Sequence, residues 1–296
     1  LKTRGPMSAQ GVERSFKEIV RAALSQRETA TDEQLLVKVR GKRPRGGDVG
    51  GVTIGGGKPV IIAGPCAVEH QESLDQVAAT LKELGVDFIR GGAFKPRTSP
   101  YTFQGLGMDG IKMLSAAAKP NGLKVVTELT DPCVIDEFTK HVDMVQVGAR
   151  NMFNYDMLKR LGDLRHPVLL KRSFAASLDE LFLAAEYLLS GGNDRVVLCE
   201  RGIRTFETST RNTLDLSAVC LIKELTDLPV IVDVSHAAGR RDILAPLSRA
   251  ALAAGADGIM VEVHPQPEGA LSDGSQQLNI EEFKQYMDDL GPCLEC

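Results

Sequence analysis

Four side chains of types that bind divalent transition metals stand in or just after apolar runs of the chain. Cys66 ends PVIIAGPC, His236 ends PVIVDVSH, Glu262 lies in GIMVEVH, and Asp273 follows in PEGALSDG. A thiolate, an imidazole and two carboxylates form a mixed donor set that suits Mn²⁺, Fe²⁺, Zn²⁺ or Co²⁺. Taken singly, Cys66 and His236 would be interpreted as core residues. Together they predict a site for one divalent metal ion, if the fold brings these segments together.

A second group of side chains is cationic and follows similar apolar runs. Its members are Arg90, Lys95, Arg97, Arg150, Lys171, Arg201, Arg204 and Arg241. Phosphate and carboxylate groups are the anions that would hold so many cations close together, and guanidinium groups bind them through paired hydrogen bonds. Arg90, Arg150, Lys171 and Arg201 end or follow apolar strands, where a buried cation without a partner is costly. These four indicate a site for anionic substrates, whereas Arg204 fits a solvated loop equally well.

Composition limits the partners of the chain. The 296 residues carry a formal net charge of -4, which argues against nucleic acid as the main partner. No apolar run is long enough to span a membrane, and the first residues lack the apolar core of a secretory signal. Six cysteines in a chain of this size do not form a disulfide framework. We therefore expect a cytoplasmic protein that acts on small molecules.

The elements that position these residues alternate along the chain. Eight apolar runs are predicted as strands, over residues 59–66, 87–93, 124–129, 144–149, 167–172, 195–202, 229–236 and 258–264. Helical patterns stand between them, for example over residues 73–85, 177–192, 212–226 and 241–255. This order predicts a (β/α)₈ TIM barrel, with an open doubly wound sheet as the alternative. Because barrel enzymes hold their active sites at the carboxyl ends of the strands, the metal ligands and the cations would share one mouth.

Three segments are expected along the chain. Residues 1–58 form an N-terminal extension, with an amphipathic helix over about 11–25 and a β-hairpin whose strands are 35–40 and 51–55. The hairpin would cap the bottom of the barrel. Residues 59–290 form the catalytic barrel, and residues 291–296 a C-terminal tail. The tail contains Cys293 and Cys296, an isolated pair that is better explained as a frayed end than as a zinc site.

Several motifs, taken in order, resemble those of a known enzyme family. They include IIAGPCAVE, IRGGAFKPRTSPYTFQGLG, VQVGARNMFN, LCERGIRTFE, VDVSHAAGRRD and MVEVHPQPEGALSDG. Over about residues 35–290 the chain is similar to the 3-deoxy-D-arabino-heptulosonate 7-phosphate (DAHP) synthases of type I beta. The resemblance implies condensation of phosphoenolpyruvate with erythrose 4-phosphate and water, which is the first step of the shikimate pathway and of aromatic amino acid biosynthesis.

The resemblance also implies roles for individual residues. The metal would be held by Cys66, His236, Glu262 and Asp273. Phosphoenolpyruvate would be bound by Arg90, Lys95, Gly148, Ala149, Arg150, Lys171 and Arg201. Erythrose 4-phosphate would be bound by Lys95, Pro96, Arg97, Thr98, Ser99 and Arg241. Lys95 is the candidate acid and Glu128 a candidate for holding the water, with Cys66 and His236 acting in catalysis through the metal.

Other functions remain open at this point. The nearest is 3-deoxy-D-manno-octulosonate 8-phosphate synthase, which would use arabinose 5-phosphate. The KPRTS segment favours the erythrose enzyme, because the octulosonate enzymes usually have an Asn-containing segment there. A class II aldolase and a non-catalytic barrel that partners chorismate mutase are further alternatives, although the complete metal quartet argues against the latter. The family resemblance implies a homo-oligomer, either a tetramer or a dimer, with chorismate mutase as a candidate partner.

Overall fold

A closed barrel of parallel strands forms the centre of the protein. The computed structural model describes residues 17, 35–39, 41, 47–97 and 99–294. Its strands are β1 (Gly47–Val49), β2 (Val52–Ile54), β3 (Val60–Gly64), β4 (Phe88–Arg90), β5 (Lys124–Glu128), β6 (Met144–Val147), β7 (Val168–Lys171), β8 (Val196–Glu200), β9 (Val230–Asp233) and β10 (Gly258–Glu262). Strands β3 to β10 pair in sequence order, and β10 closes the ring against β3. The predicted barrel and its eight strands are confirmed.

Helices cover the outside of the barrel. They are α1 (Gln71–Glu83), α2 (Gly107–Ala118), α3 (Ile135–Phe138), α4 (Tyr155–Leu164), α5 (Leu178–Ser190), α6 (Leu216–Leu225), α7 (Val234–Ala238), α8 (Leu244–Ala253) and α9 (Ile280–Leu294). Side-chain caps set several of their starts: Ser177 and Glu180 form a capping box at α5, and Asp215 accepts a hydrogen bond from the Ala218 amide at α6. None of the helices in the described ranges is both long and apolar enough to cross a membrane.

The predicted strand over 229–236 is too long, and this changes how His236 is held. Strand β9 ends at Asp233, and the short helix α7 begins at the next residue. The Asp233 side chain accepts a hydrogen bond from the His236 amide, which is the contact of a helix N-cap. His236 therefore projects from the first turn of a helix rather than from a strand.

The hairpin is present, but its first strand lies later than expected. Residues 36–38, predicted as part of a strand, form a 3-10 turn whose first two amides donate to the Glu186 carboxylate of α5. The true partner of β2 is β1, and the two are joined by Gly50 and Gly51, both with positive φ. A Gly-Gly turn of this kind fits the twist of paired strands. The predicted helix over about 11–25 lies outside the described residues, apart from residue 17.

The hairpin packs into the interior of the barrel. Val49 and Ile54 are fully buried and belong to the same apolar cluster as inward-facing strand residues such as Val197 and Met260. A second, larger cluster lies between the barrel and the helices. At the other terminus α9 continues to Leu294, beyond residue 290 where the barrel was predicted to end. The hairpin thus fills one end of the barrel, while the carboxyl ends of the strands stay available for chemistry.

Replacing Ile54 by Ala should lower the free energy of unfolding by about 2–5 kcal/mol, because the change leaves a cavity where the hairpin meets the barrel interior. Urea denaturation followed by circular dichroism measures this. Thr53→Ala is the matched control, since Thr53 is exposed on the same strand; its effect should stay within about 0.5 kcal/mol. Equal stability of Ile54→Ala and the parent protein would contradict the packing described for β2.

Candidate active site

The four predicted metal ligands meet at the carboxyl ends of neighbouring strands. One ligand atom from each of Cys66, His236, Glu262 and Asp273 lies within 4.8 Å of all the others. Cys66 follows β3, Glu262 ends β10, and His236 follows β9, and β10 pairs with both β3 and β9. Asp273 comes from the loop after β10. The fold therefore brings together the set that the residue types predicted.

Hydrogen bonds to the backbone and to the sulfur hold Cys66 in place. Its amide donates to Gln277 Oε1 at 2.8 Å, and Lys95 Nζ donates to both its carbonyl oxygen and its Sγ at 3.0 Å. Just before it, Gly64 has a φ of 147°, and a Cβ there would lie 2.0 Å from the Arg90 carbonyl oxygen. Strand β3 can approach β4 this closely only through a glycine.

The His236 ring lies between two buried carboxylates. Its Nδ1 is 2.8 Å from Asp233 Oδ2, and its Nε2 is 3.5 Å from Glu262 Oε1. Burial lowers the pKa of His236 although both carboxylates act to raise it. The neutral imidazole that results is the form that binds metals. Asp233 lies behind the ring, which is where a carboxylate often lies beside a metal-bound histidine.

The pKa of each carboxylate ligand is lowered by the groups beside it, which favours the ionised form. Burial alone would raise the pKa of Glu262, but His236 and Arg90 outweigh it and the net shift is downward. Arg90 Nη1 lies 2.9 Å from Glu262 Oε1. For Asp273, burial also opposes ionisation, yet Arg211 at 3.2 Å is the main cause of a pKa lowered to about 2. The cluster therefore offers two carboxylate ligands that do not need to lose a proton before they bind a metal ion.

The thiol is the one ligand that still carries its proton. Burial raises the pKa of Cys66 to about 12, with Glu262 adding to the effect and Lys95 opposing it. One sulfur, one neutral imidazole nitrogen and two carboxylate oxygens form a donor set that fits a divalent transition metal. Because a metal ligand must be the thiolate, a bound ion would displace this proton. These residues thus fit the predicted metal in donor type, spacing and charge.

Beside the cluster lies a cavity of about 440 Å³. It is lined by Arg90, Gly92, Lys95, Pro96, Arg97, Ser99, Thr102, Glu128, Gln146, Gly148, Ala149, Arg150, Lys171, Phe174, Arg201, Arg204, Arg211, Asn212, His236 and Asp273. The lining includes eight Lys or Arg side chains and only two carboxylates. Such a wall suits a ligand with more than one negative charge.

Three of these cations are buried, and they differ in whether a carboxylate forms an ion pair with them. Arg90 contacts Glu262, and Lys171 bonds to Asp233. Arg201 is 7% exposed, and within the described part of the chain it has no ion-pair partner. Burial lowers the pKa of Arg201, with Asp233 opposing that shift. A buried guanidinium without a counter-charge indicates that an anionic ligand supplies one.

Three further cations in or beside the cavity are placed in different ways. Arg150 lines the cavity but is exposed, so the cost of burying an unpaired charge does not apply to it. Arg204 is exposed too, and its guanidinium carbon lies 4.3 Å from the centroid of the Phe174 ring. Arg172, the neighbour of Lys171, points away and pairs with Glu200 and Asp215, each at 2.9 Å.

The predicted sugar-phosphate residues divide into two groups. Lys95, Pro96, Arg97 and Ser99 line the cavity, and Arg97 Nη1 donates to Ser272 Oγ at 2.6 Å. Thr98 lies outside the described residues. Arg241 does not line the cavity. Its guanidinium lies 3.2 Å from Glu282 and 3.3 Å from Glu268, because the side chain turns toward α9 and the loop after β10.

Glu128 and Gly148 form a tight pair at the end of β5 and β6. A Cβ at Gly148 would lie 1.9 Å from Glu128 Oε1, so only glycine permits this approach. Burial raises the pKa of Glu128, although four neighbouring cations, with Lys95 and Lys171 the strongest, act in the opposite direction. Burial and the surrounding cations thus act in opposite directions on this carboxyl group of the cavity wall, and burial has the larger effect.

The sequence pattern did not predict some residues of the site, because they lie in loops without a regular periodicity. Arg211 lies between β8 and α6, contacts Asp273, and donates from Nη1 to Gln276 Oε1 at 2.9 Å. Gln276 also donates to Glu262 Oε2 at 2.6 Å. The one available signal for Arg211 was its place in the long segment that follows a barrel strand, where barrel enzymes hold functional residues.

Comparisons with known proteins agree with this geometry. A sequence model of the DAHP synthetase I family matches residues 28–294. Phospho-2-dehydro-3-deoxyheptonate aldolase of Thermotoga maritima is 53% identical over 243 residues, which cover 82% of this chain and 72% of that protein. A crystal structure of phospho-2-dehydro-3-deoxyheptonate aldolase (DAHP synthase) from the same organism superposes with a TM-score of 0.81 at 51% identity, covering 84% of this chain and 73% of that one.

A second group of relatives is more distant. The 2-dehydro-3-deoxyphosphooctonate aldolase of Syntrophotalea carbinolica is 31% identical, over 82% of this chain and 93% of its own length. The difference in identity between 53% and 31% separates the two groups clearly.

Metal binding should release about one proton per ion, because only Cys66 must change its protonation state. With the pKa of Cys66 at about 12, the apparent affinity should rise about tenfold for each pH unit between about pH 7 and pH 9. Calorimetric titration with Mn²⁺ or Co²⁺ in buffers of different ionisation enthalpy counts the protons. In Cys66→Ala the binding should be weaker and nearly independent of pH; an affinity of the parent protein that is flat over this range would contradict the assignment.

Proposed function

The chain belongs to the DAHP synthetase I family, and from this premise we propose that it condenses phosphoenolpyruvate with erythrose 4-phosphate and water. The products are 3-deoxy-D-arabino-heptulosonate 7-phosphate and inorganic phosphate. One observation carries the proposal. A thiol, imidazole and dicarboxylate cluster borders a cavity whose wall holds eight cations, one of them buried with no ion-pair partner among the described residues. Two phosphorylated substrates and one divalent ion supply the charges that this arrangement lacks.

Phosphoenolpyruvate occupies the inner part of the cavity. Arg90, Lys171 and Arg201 are buried there and present fixed positive charge to its phosphate and carboxylate. Arg150 closes the outer side, and the backbone at Gly148 and Ala149 lines the floor. Preplaced cations hold two mutually repelling anions in reacting geometry, which is a contribution of position and electrostatics.

The sugar phosphate lies nearer the mouth. The segment from Pro96 to Ser99 follows Lys95, and Arg97 offers a guanidinium already oriented by Ser272. The aldehyde of the sugar phosphate then points toward the cluster of Cys66, His236, Glu262 and Asp273. These four side chains hold a divalent ion, one of Mn²⁺, Fe²⁺, Zn²⁺ or Co²⁺, which supplies Lewis-acid polarisation of the aldehyde when bound. Arg241 contributes only if its contacts with Glu268 and Glu282 are exchanged for the phosphate.

The reaction then follows from the two substrates. C3 of phosphoenolpyruvate attacks the aldehyde carbon, the aldehyde oxygen takes a proton, and water adds to C2. The resulting phosphohemiketal collapses with cleavage of its C–O bond and loss of phosphate. Lys95 is the proton donor to the developing alkoxide, since its Nζ lies 3.0 Å from Cys66 Sγ and therefore beside the aldehyde site. Glu128 orients the water, because its carboxyl group lies on the cavity wall and can accept a hydrogen bond or a proton there.

Assembly and location complete the proposal. We expect a dimer or tetramer of this chain in the cytoplasm, with chorismate mutase as a candidate partner. Five cysteines in the described residues are free thiols, as is usual in a reducing compartment. Sedimentation equilibrium measures the oligomeric state.

Phosphate release should depend on both the sugar and the metal. With erythrose 4-phosphate, kcat/KM should exceed that with arabinose 5-phosphate by at least about tenfold, a ratio that a binding pocket can reach. A chelator should abolish activity, and added Mn²⁺ or Co²⁺ should restore it. A preference for arabinose 5-phosphate would favour the octulosonate enzyme instead. Turnover without phosphoenolpyruvate would favour an aldolase of another class.

Gly148→Ala should lower kcat/KM by about 100-fold, because the new Cβ displaces Glu128 from the cavity wall and a shift of about 1 Å has effects of this size. Steady-state kinetics measures the loss, and metal titration should show unchanged affinity, since Gly148 does not contact the cluster. Gly291→Ala is the control, because a Cβ at Gly291 meets no atom within 4 Å. Wild-type kinetics for Gly148→Ala would remove Glu128 from its proposed role.

A further inference from the structure

One buried carboxylate touches both the metal cluster and the substrate cavity. Asp233 ends β9 and is fully buried. Its Oδ2 accepts a hydrogen bond from Lys171 Nζ and also lies 2.8 Å from His236 Nδ1. Its Oδ1 accepts from the His236 amide at 3.0 Å. The same oxygen thus faces a cation of the substrate wall and the ring of a metal ligand.

The two neighbours of Oδ2 compete for its charge. Lys171 lies on β7, two strands away from β9, and reaches across the mouth to make this contact. Among the described residues, Asp233 is the sole ion-pair partner of Lys171. A carboxylate behind a metal-bound imidazole strengthens the ring as a ligand. While Lys171 shares Oδ2, less of that negative charge is available to His236.

We propose that Asp233 is a positioning residue that couples phosphoenolpyruvate binding to metal binding. The inference rests on the proposed function, because it requires phosphoenolpyruvate to contact Lys171. The anion draws the ammonium of Lys171 away from Oδ2, and the released charge stabilises His236 as a ligand. Metal affinity therefore increases when phosphoenolpyruvate binds. By linkage, the metal increases the affinity for phosphoenolpyruvate by the same factor.

The role of Asp233 as a helix cap can be separated from this coupling. The cap uses Oδ1 alone, and Asn is as good a cap as Asp. Asp233→Asn therefore keeps the contact at the start of α7 and removes the charge that Lys171 and His236 share. A purely structural role predicts little change in this variant. The coupling predicts a specific loss.

The test is the Kd of Mn²⁺, measured at fixed pH by competition with a chelating dye, with and without phosphoenolpyruvate and without any sugar. In the wild-type protein, phosphoenolpyruvate should lower the Kd by about 5–150-fold, after correction for Mn²⁺ bound to free phosphoenolpyruvate. Asp233→Asn should weaken Mn²⁺ binding by about 10–100-fold and reduce the effect of phosphoenolpyruvate toward one. An effect of the same size in both proteins would overturn the inference.

A double-mutant cycle excludes simple repulsion through space. Lys171→Gln should tighten Mn²⁺ binding without phosphoenolpyruvate when Asp233 is present, and should leave it unchanged in the Asp233→Asn background. Equal tightening in both backgrounds would mean that Lys171 acts on the metal directly, which would overturn the relay. If Asp233→Asn does not fold, Lys171→Gln alone decides the matter, because an unchanged or weaker Mn²⁺ affinity contradicts the competition for Oδ2.

Asp257→Asn is the matched control. Asp257 also joins a Lys to strand β9, through Lys223 Nζ and the Val230 amide, each at 2.8 Å, but at the opposite end of the strand. This variant should keep the wild-type response of Mn²⁺ affinity to phosphoenolpyruvate. If the wild-type protein does not bind phosphoenolpyruvate at all, the proposed function and this inference both fail. If it binds and Asp233→Asn keeps the full response, only the inference fails.

Discussion

Charges buried at the carboxyl end of the barrel are tolerable only because each faces an opposite charge or a site for one. Glu262 stays ionised beside Arg90, Asp273 beside Arg211, and Asp233 beside Lys171. An unpaired ion in this environment would cost several kcal/mol. Not every charged group of the site has an ion-pair partner, however. Arg201 lacks one in the described residues, and the Cys66 thiol keeps its proton. The remaining imbalance is what a metal ion and anionic substrates correct.

The barrel tolerates these buried charges because its two ends differ in composition. At one end the hairpin inserts Val49 and Ile54 into the interior, where they join an apolar cluster of inward-facing side chains. At the other end six strands stop in charged residues, namely Arg90, Glu128, Lys171, Glu200, Asp233 and Glu262. Stability and chemistry are thus separated along the barrel axis, as is general for this fold.

Close backbone approaches make the site compact. Gly64 allows β3 to approach the Arg90 carbonyl oxygen, and Gly148 leaves room for the Glu128 carboxyl group. Asp273 occupies a left-handed backbone conformation with a φ of 51°, which is uncommon for a residue other than glycine. Its pairing with Arg211 compensates for that strain by placing the carboxylate against the cluster. Such contacts bring four candidate ligand atoms from separate segments within 4.8 Å of one another.

The sequence by itself determined the barrel, the metal quartet and most of the cationic wall, because parallel strands read as continuous apolar runs and their ends must converge. Only the tertiary structure decided which polar residues face inward: Arg172 pairs with Glu200 and Arg241 turns to Glu282. It also decided the first strand of the hairpin, which is residues 47–49 and not the predicted 35–40. The contact of Arg211 with Asp273 was likewise decided only by the tertiary structure. Side-chain direction and loop course depend on partners distant in sequence, and local pattern contains no information about them.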